Sequence, residues 1–174
     1  MNILIANGFS FLGHIIDAVV GYKYNEKPKI LLFNIISSCC SLLAMILLHS
    51  LAGCISVIVT VFRLCVIYFK DKYHWEIDCA VLMFIAGYAC IFFDSDFPVA
   101  VLMFTGNLVS FLPKWFCQKV QYLRIGAFLA NFIFIFPHYL IDNFVTIPFH
   151  IMNMVMILIA YIKWYRIEKS FPRS

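Results

Sequence analysis

Charge is scarce in this sequence: only 13% of its 174 residues are Asp, Glu, Lys or Arg, against about a quarter in soluble globular chains. The thirteen Lys and Arg residues gather into no stripe or arm, so the net charge of +4 marks no nucleic-acid partner. Cysteine is present but never as C-x-x-C; Cys39, Cys40, Cys54, Cys65, Cys79, Cys90 and Cys117 read as small packing residues. The five histidines show neither H-x-x-x-H nor H-E-x-x-H spacing. A G-x-S-x-G elbow and a glycine-rich phosphate loop are absent too. No enzyme, metal site or cofactor is expected. Residues 1–6 (MNILIA) lack the positive n-region of a cleaved secretory signal, so the first apolar run is expected to be a permanent helix.

What the chain has is apolar surface: 64% of its residues are apolar or aromatic, with a mean hydropathy of +0.93. A small soluble domain leaves too much of its area in water to hide this, so the lipid bilayer is the expected partner. Apolar runs fall at about 3–21, 30–48, 51–69, 77–93, 98–116, 122–141 and 144–162. Each is close to one hydrocarbon crossing of about 20 residues. Alternating ten-residue segments are absent, which leaves helix rather than β-barrel. Runs two and three are parted only by His49 and Ser50, and runs six and seven only by Asp142 and Asn143. Both read as tight helical hairpins, because a fused run would be about twice a crossing.

Counting cations by loop sets the orientation. With seven spans, all thirteen Lys and Arg fall on one side, from Lys23, Lys27 and Lys29 to Lys163, Arg166, Lys169 and Arg173, and the other side carries only Asp94, Asp96 and Asp142. The expected topology is N-terminus outside and C-terminus in the cytoplasm of a bacterial cell membrane.

The order of features repeats. A basic connection, a hairpin and a basic exit recur in runs five to seven at offsets of roughly 91 to 97 positions. Both triplets place their first connection on the cytoplasmic side, so they are parallel, and one intervening span is required. Run four, Ile77 to Phe93, fits that role: Tyr88 and two Cys are its most polar members. The expected fold is an all-α integral membrane protein of seven transmembrane helices. Residues 1–72 form the first three-helix repeat, 73–97 the linker helix, 98–169 the second repeat and 170–174 a cytoplasmic tail.

This 3-1-3 order resembles the SWEET and PQ-loop transporter architecture. The Pro-Gln dipeptide of the PQ-loop group is absent, and Pro113 sits instead in Leu112-Pro113-Lys114. The chain also resembles the YgjV-type small bacterial inner-membrane proteins. That resemblance rests on Ala52-Gly53 followed by Arg63, on His138 at the later hairpin, and on His150 or Asn153 in the helix after it. It implies a fold more than an activity.

Polar residues inside a bilayer are costly and face the bundle interior or a hydrated cavity. On run one, Asn7, Ser10, His14 and Asp17 are spaced three, four and three apart and make one helical stripe. Arg63 is the expected partner of Asp17 in a structural or gating ion pair. Smaller polar sets lie on the other repeat runs: Asn34, Ser38 and Ser41; Ser56 and Thr60; Asn107 and Ser110; Asn131 and His138; His150 and Asn153. For each residue alone, an interhelical hydrogen-bonding seam is the plainer explanation. Polar faces on six runs of seven fit a solute site better. Pro137 within run six and Pro148 early in run seven are candidate hinges, with a static kink as the alternative.

The expected function is a transporter or facilitator of a small neutral polar solute by alternating access. The solute would be bound by Ser10, His14, Ser38, Asn107, Asn131 and Asn153, with Phe132, Phe134 and Trp115 as stacking surfaces. The alternative is a non-transporting scaffold or assembly factor that binds a partner within the bilayer. Small-xxx-small pairs such as Ser37/Ser41 and Gly126/Ala130 would allow a homo-oligomer or close contacts inside the bundle.

Overall fold

In lipid every backbone N–H and C=O must be satisfied within its own segment, and the apolar runs accordingly become long helices. The computed structural model describes residues 2–47, 51–74, 97–140, 144 and 146–170. Among them are six helices: α1 (Asn2–Lys23), α2 (Lys27–Leu47), α3 (Leu51–Tyr73), α4 (Phe97–Phe116), α5 (Val120–Leu140) and α6 (Ile147–Ser170). Five of them, α1, α2, α4, α5 and α6, are long and apolar enough by length and composition to cross a membrane. Run four, the hairpin tips His49-Ser50 and Asp142-Asn143, the loop residues Asp94 and Asp96, and the tail 171–174 lie outside the described residues.

Helix ends extend the apolar runs where the local chemistry favours it. α3 continues past its last apolar residue through Lys70 and Lys72 in its final turn, where cations meet the negative end of the helix dipole. It stops at His74, whose φ of 54° is the left-handed conformation that ends many helices. α6 begins as the Thr146 carbonyl accepts from the Phe149 and His150 amides. Pro98 and Pro148 occupy the second positions of α4 and α6, where a missing N–H breaks no helical bond.

The helices form a ring in chain order. α1 packs on α2, α2 on α3, α4 on α5, α5 on α6, and α6 returns to α1. α3 and α4 close the ring through side chains: Leu31, Leu64, Ile67, Phe111 and Trp115 form one buried cluster. Direction follows from the contacts. Phe11 and His14 of α1 meet Phe149 near the start of α6, and Tyr22 near the end of α1 accepts from Trp164 near the end of α6. α1 and α6 are therefore parallel. Arg63 of α3 faces Phe111 of α4, Lys70 faces Trp115, and Asp71 accepts from Gln118 just past α4. α3 and α4 are therefore parallel as well. The first three helices and the last three thus point the same way, and the described Lys residues gather at one end of the ring.

Within each triplet the first two helices cross at glycine. A Cβ at Gly13 would lie 3.1 Å from the Ser37 carbonyl oxygen, and one at Gly106 would lie 2.6 Å from the Phe134 ring. At Gly126 a Cβ would meet Pro113 Cγ at 2.5 Å and the Val109 carbonyl at 3.0 Å. Pro113 has no N–H to offer that carbonyl, and the bare Cα of Gly126 lets α5 cover it. Ser37, Ser41 and Gly126 are thereby used inside the bundle. The outer surface is formed by exposed Leu, Ile and Phe side chains such as Leu12, Ile36, Phe62, Leu129 and Ile151, the reverse of a soluble protein.

Candidate functional site

The polar stripes of all six helices converge on one cavity of about 270 Å³, room enough for several waters. Its lining falls into tiers along the ring axis. Nearest the basic end are Lys114 of α4 and Arg124 of α5; in the middle are Asp17, Asn34, Arg63, Ser110 and Asn153; farthest are His14, Ser38, Thr60, Asn107, Asn131 and His150.

At the basic end Arg124 is only 3% exposed, and its guanidinium ties α5 to the end of α1. Nη2 donates to the Tyr24 carbonyl at 2.8 Å and Nε to the Gly21 carbonyl at 3.3 Å. Nη1 reaches Asn25 Oδ1 at 2.9 Å and Gln121 Oε1 at 3.2 Å. Carbonyls at a helix C-terminus lack intrahelical donors, so the cation and the helix end satisfy each other. Beside it, Lys27 and Asp71 form a buried ion pair of 2.8 Å joining α2 to α3. The Lys70 ammonium lies 3.7 Å from the centre of the Trp115 ring.

In the middle tier Asp17 is held by α2. With its amide nitrogen turned to the carboxylate, Asn34 donates to Asp17 Oδ1 at 3.2 Å and to the Ile30 carbonyl at 3.3 Å. The Ser37 hydroxyl lies between Asp17 and the Gly13 carbonyl, the latter at 3.0 Å. Lys114 senses both other charges, attracted by Asp17 and repelled by Arg63. Arg63 is 3% exposed and stacks over Phe111 at 5.4 Å.

The far tier is built on histidine. His150 Nδ1 lies 2.8 Å from Asn131 Oδ1, while the Asn131 amide nitrogen donates to the Ala127 carbonyl at 2.8 Å. His138 stacks on His150 at 5.1 Å, His14 meets the same ring edge-on at 6.1 Å, and Phe149 stacks on His14 at 4.9 Å. No group of three His, Cys, Asp or Glu residues among the described residues could hold a metal ion.

The cavity takes in His14, Ser38, Asn107, Asn131 and Asn153 from the expected solute-binding set, together with Asp17 and Arg63. Ser10 lies one turn beyond His14 on α1 and is not in the lining. Phe134 lines the cavity, whereas Phe132 is 49% exposed on the outer surface and Trp115 belongs to the cluster between α3 and α4. Pro137 is fully buried inside α5 and deprives the Ile133 carbonyl of its helical donor. Lys114 and Arg124 are the lining residues that sequence reasoning assigned only to topology. Lys114 continues the stripe Asn107, Ser110 at the next helical step of four, and that spacing was the available signal.

A ring of apolar-coated helices with its polar side chains turned to a central cavity defines a multi-pass membrane protein. The chain belongs to the Imp-YgjV family, described as a bacterial inner membrane protein, whose family model matches residues 4–168. No curated protein and no solved structure matches the chain at a significant level.

Proposed function

We propose that the protein is a transporter or facilitator of a small polar solute, which binds in the central cavity and is exposed to each side in turn as one triplet rocks against the other. The observation that carries this reading is the cavity itself, about 270 Å³ and lined by polar groups from six helices. Packed interiors leave few voids larger than a water, and a dry adhesive seam would be filled.

The seven-span 3-1-3 arrangement, with its likeness to SWEET architecture, belongs to the same proposal. It is supported by the parallel triplets: α3 ends at the basic end, beside the end of α4, and α4 starts at the opposite one. The chain between Tyr73 and Phe97 must travel between them, and run four has the length of one crossing. The cations gathered at one end support a cytoplasmic placement of that end, with the N-terminus outside. Asp17 and Arg63 both belong to the first triplet. The attraction that crosses between triplets is that of Asp17 and Lys114, and this pair is the better placed to gate a rocking motion.

The test is hydration. In a cysteine-free background, Ser110→Cys and Ala127→Cys should react with a small neutral aqueous thiol reagent in membranes. Uptake by liposomes holding the purified protein, screened over small polar solutes, should be lost in Asn131→Ala/Asn153→Ala while the protein stays folded. Two unreactive cysteines would instead support the scaffold reading.

A further inference from the structure

We infer that the solute is a neutral planar ring with a lactam edge, an N–H beside a C=O, read by the Asn153 amide and His150 Nε2 and stacked on Phe134. The inference rests on the transport reading and names the class of its solute.

Asn34, Asn107, Asn131 and Asn153 all line the cavity, and they differ in what their amides already do. Asn131 is committed at both ends, to the Ala127 carbonyl and to His150 Nδ1. Asn34 donates to Asp17 and to the Ile30 carbonyl, and Asn107 Nδ2 donates to the Met103 carbonyl at 2.9 Å. Asn153 is 6% exposed, yet its buried Oδ1 accepts no hydrogen bond, and its Nδ2 donates to none of the described residues. A buried amide without partners is costly, and the cavity that Asn153 lines is where a partner can enter. A carboxamide offers an acceptor and a donor side by side, the complement of an edge that carries N–H next to C=O. Asparagine reads the edge of a nucleic-acid base by the same bidentate geometry.

His150 lies three residues before Asn153 on α6 and lines the same cavity. Because Asn131 presents its oxygen, Nδ1 donates, and the neutral ring keeps Nε2 as an acceptor for a further donor on the solute. The walls here are flat. His138 stacks on His150 at 5.1 Å and 24°, and Phe134 lies 5.6 Å from His150 at 35°. Phe134 carries that stack to the cavity wall, and a planar solute would extend it. A sugar, with hydroxyls on every side, would need several uncommitted amides, whereas three of the four are already engaged. At about 270 Å³ the cavity is near the lower bound of ligand pockets, about 300–1,000 Å³, which suits a single ring.

The test uses the full chain in membranes, cysteine-free except for Ser110→Cys in the cavity lining. Its reaction with methyl methanethiosulfonate is followed in the presence of uracil, 2-pyridone, 1,3-dimethyluracil or D-glucose. Uracil and 2-pyridone, which carry the lactam edge, should protect the cysteine. The dimethylated ring, which has lost its N–H groups, and the sugar should need concentrations at least about tenfold higher, as a site built to pair with a donor rejects the analogue lacking it. Asn153→Leu has no hydrogen bond within the protein to lose, so it should leave thermal stability and the unprotected rate unchanged while abolishing protection. Asn153→Ser, a smaller side chain, should weaken protection at least about tenfold too, which separates loss of the amide from a blocked cavity. Equal protection by 1,3-dimethyluracil or glucose, full protection in Asn153→Ser, or no protection by either lactam would overturn the inference and leave the transport reading standing. A cysteine unreactive without any added solute would overturn both.

Discussion

His150 Nδ1 stands 2.8 Å from Asn131 Oδ1, and the amide nitrogen of that asparagine is committed to the Ala127 carbonyl. An amide oxygen only accepts, so Nδ1 must carry the proton, and the neutral ring presents Nε2 as an acceptor. The orientation of one asparagine thus fixes the tautomer of a histidine at the far tier of the cavity. Nitrogen-15 spectra of histidine-labelled protein should show the Nδ1–H form for His150. Asn131→Leu should remove that signature and destabilise the fold by about 1–3 kcal/mol, the cost of leaving a buried donor unmade. A His150 spectrum unchanged in Asn131→Leu would refute the assignment.

The glycine crossings predict a graded series. Gly126→Ala places a methyl 2.5 Å from Pro113 Cγ and 3.0 Å from a backbone carbonyl, neither of which can swing aside, and should cost about 1–3 kcal/mol. Gly106→Ala meets only the Phe134 ring; that ring lines the cavity and can be pushed into it, so the variant should lose cavity volume more than stability. Gly8→Ala meets nothing within 4 Å and should be neutral. Thermal unfolding in detergent orders the three, and comparable losses at Gly8 and Gly126 would contradict the crossing.

Much of this was legible in the sequence because lipid enforces it. Runs of about 20 apolar residues can only be helices, and the observed ends differ from the runs by a few residues, except at α6, which continues to Ser170. The angular position of a polar residue is legible too: His14 and Asp17, Thr60 and Arg63, and Asn107 and Ser110 share faces at helical spacing and all line the cavity. Depth is not. Ser10 lies on the same stripe as His14 but one turn too far along. Lys114 and Arg124 stand at the ends of runs, where cations ordinarily serve as topology markers. Their inward turn depends on how α4 and α5 cross at Gly126, a tertiary fact without a local signal. That the attraction reaching Asp17 from the second triplet is that of Lys114 is likewise set by packing.

The Lys27–Asp71 pair predicts a strong non-additivity. Both side chains are nearly buried, at 3% and 7% exposure, and Gln118 from the second triplet donates to the same carboxylate at 3.4 Å. Asp71→Leu alone strands a buried ammonium and should cost about 3 kcal/mol or more, whereas Lys27→Met/Asp71→Leu should lie near the wild type. A double variant as unstable as the single one would mean that the pair contributes more than mutual neutralisation.

Topology supplies the most severe test, because it depends on the direction of every helix at once. α1 and α2 are antiparallel neighbours joined by three residues, Tyr24 to Glu26, and α2 and α3 reverse again, so α1 and α3 agree. The contacts of Arg63 with Phe111 and of Lys70 with Trp115 align α3 with α4. Those of Phe11 with Phe149 and of Tyr22 with Trp164 align α1 with α6. The start of α1 and the end of α6 therefore lie at opposite ends of the ring, and the proposed cytoplasmic placement of the cation-rich end predicts a chain that starts outside and ends inside. A fluorescent protein fused after Ser174 should fluoresce in intact cells, and an epitope placed before Met1 should be reached by protease from outside. Reporters that place both termini in one compartment would mean that α3 and α4 run in opposite directions. The side-chain contacts that close the ring between them could not then exist, and the cavity would lose its third wall.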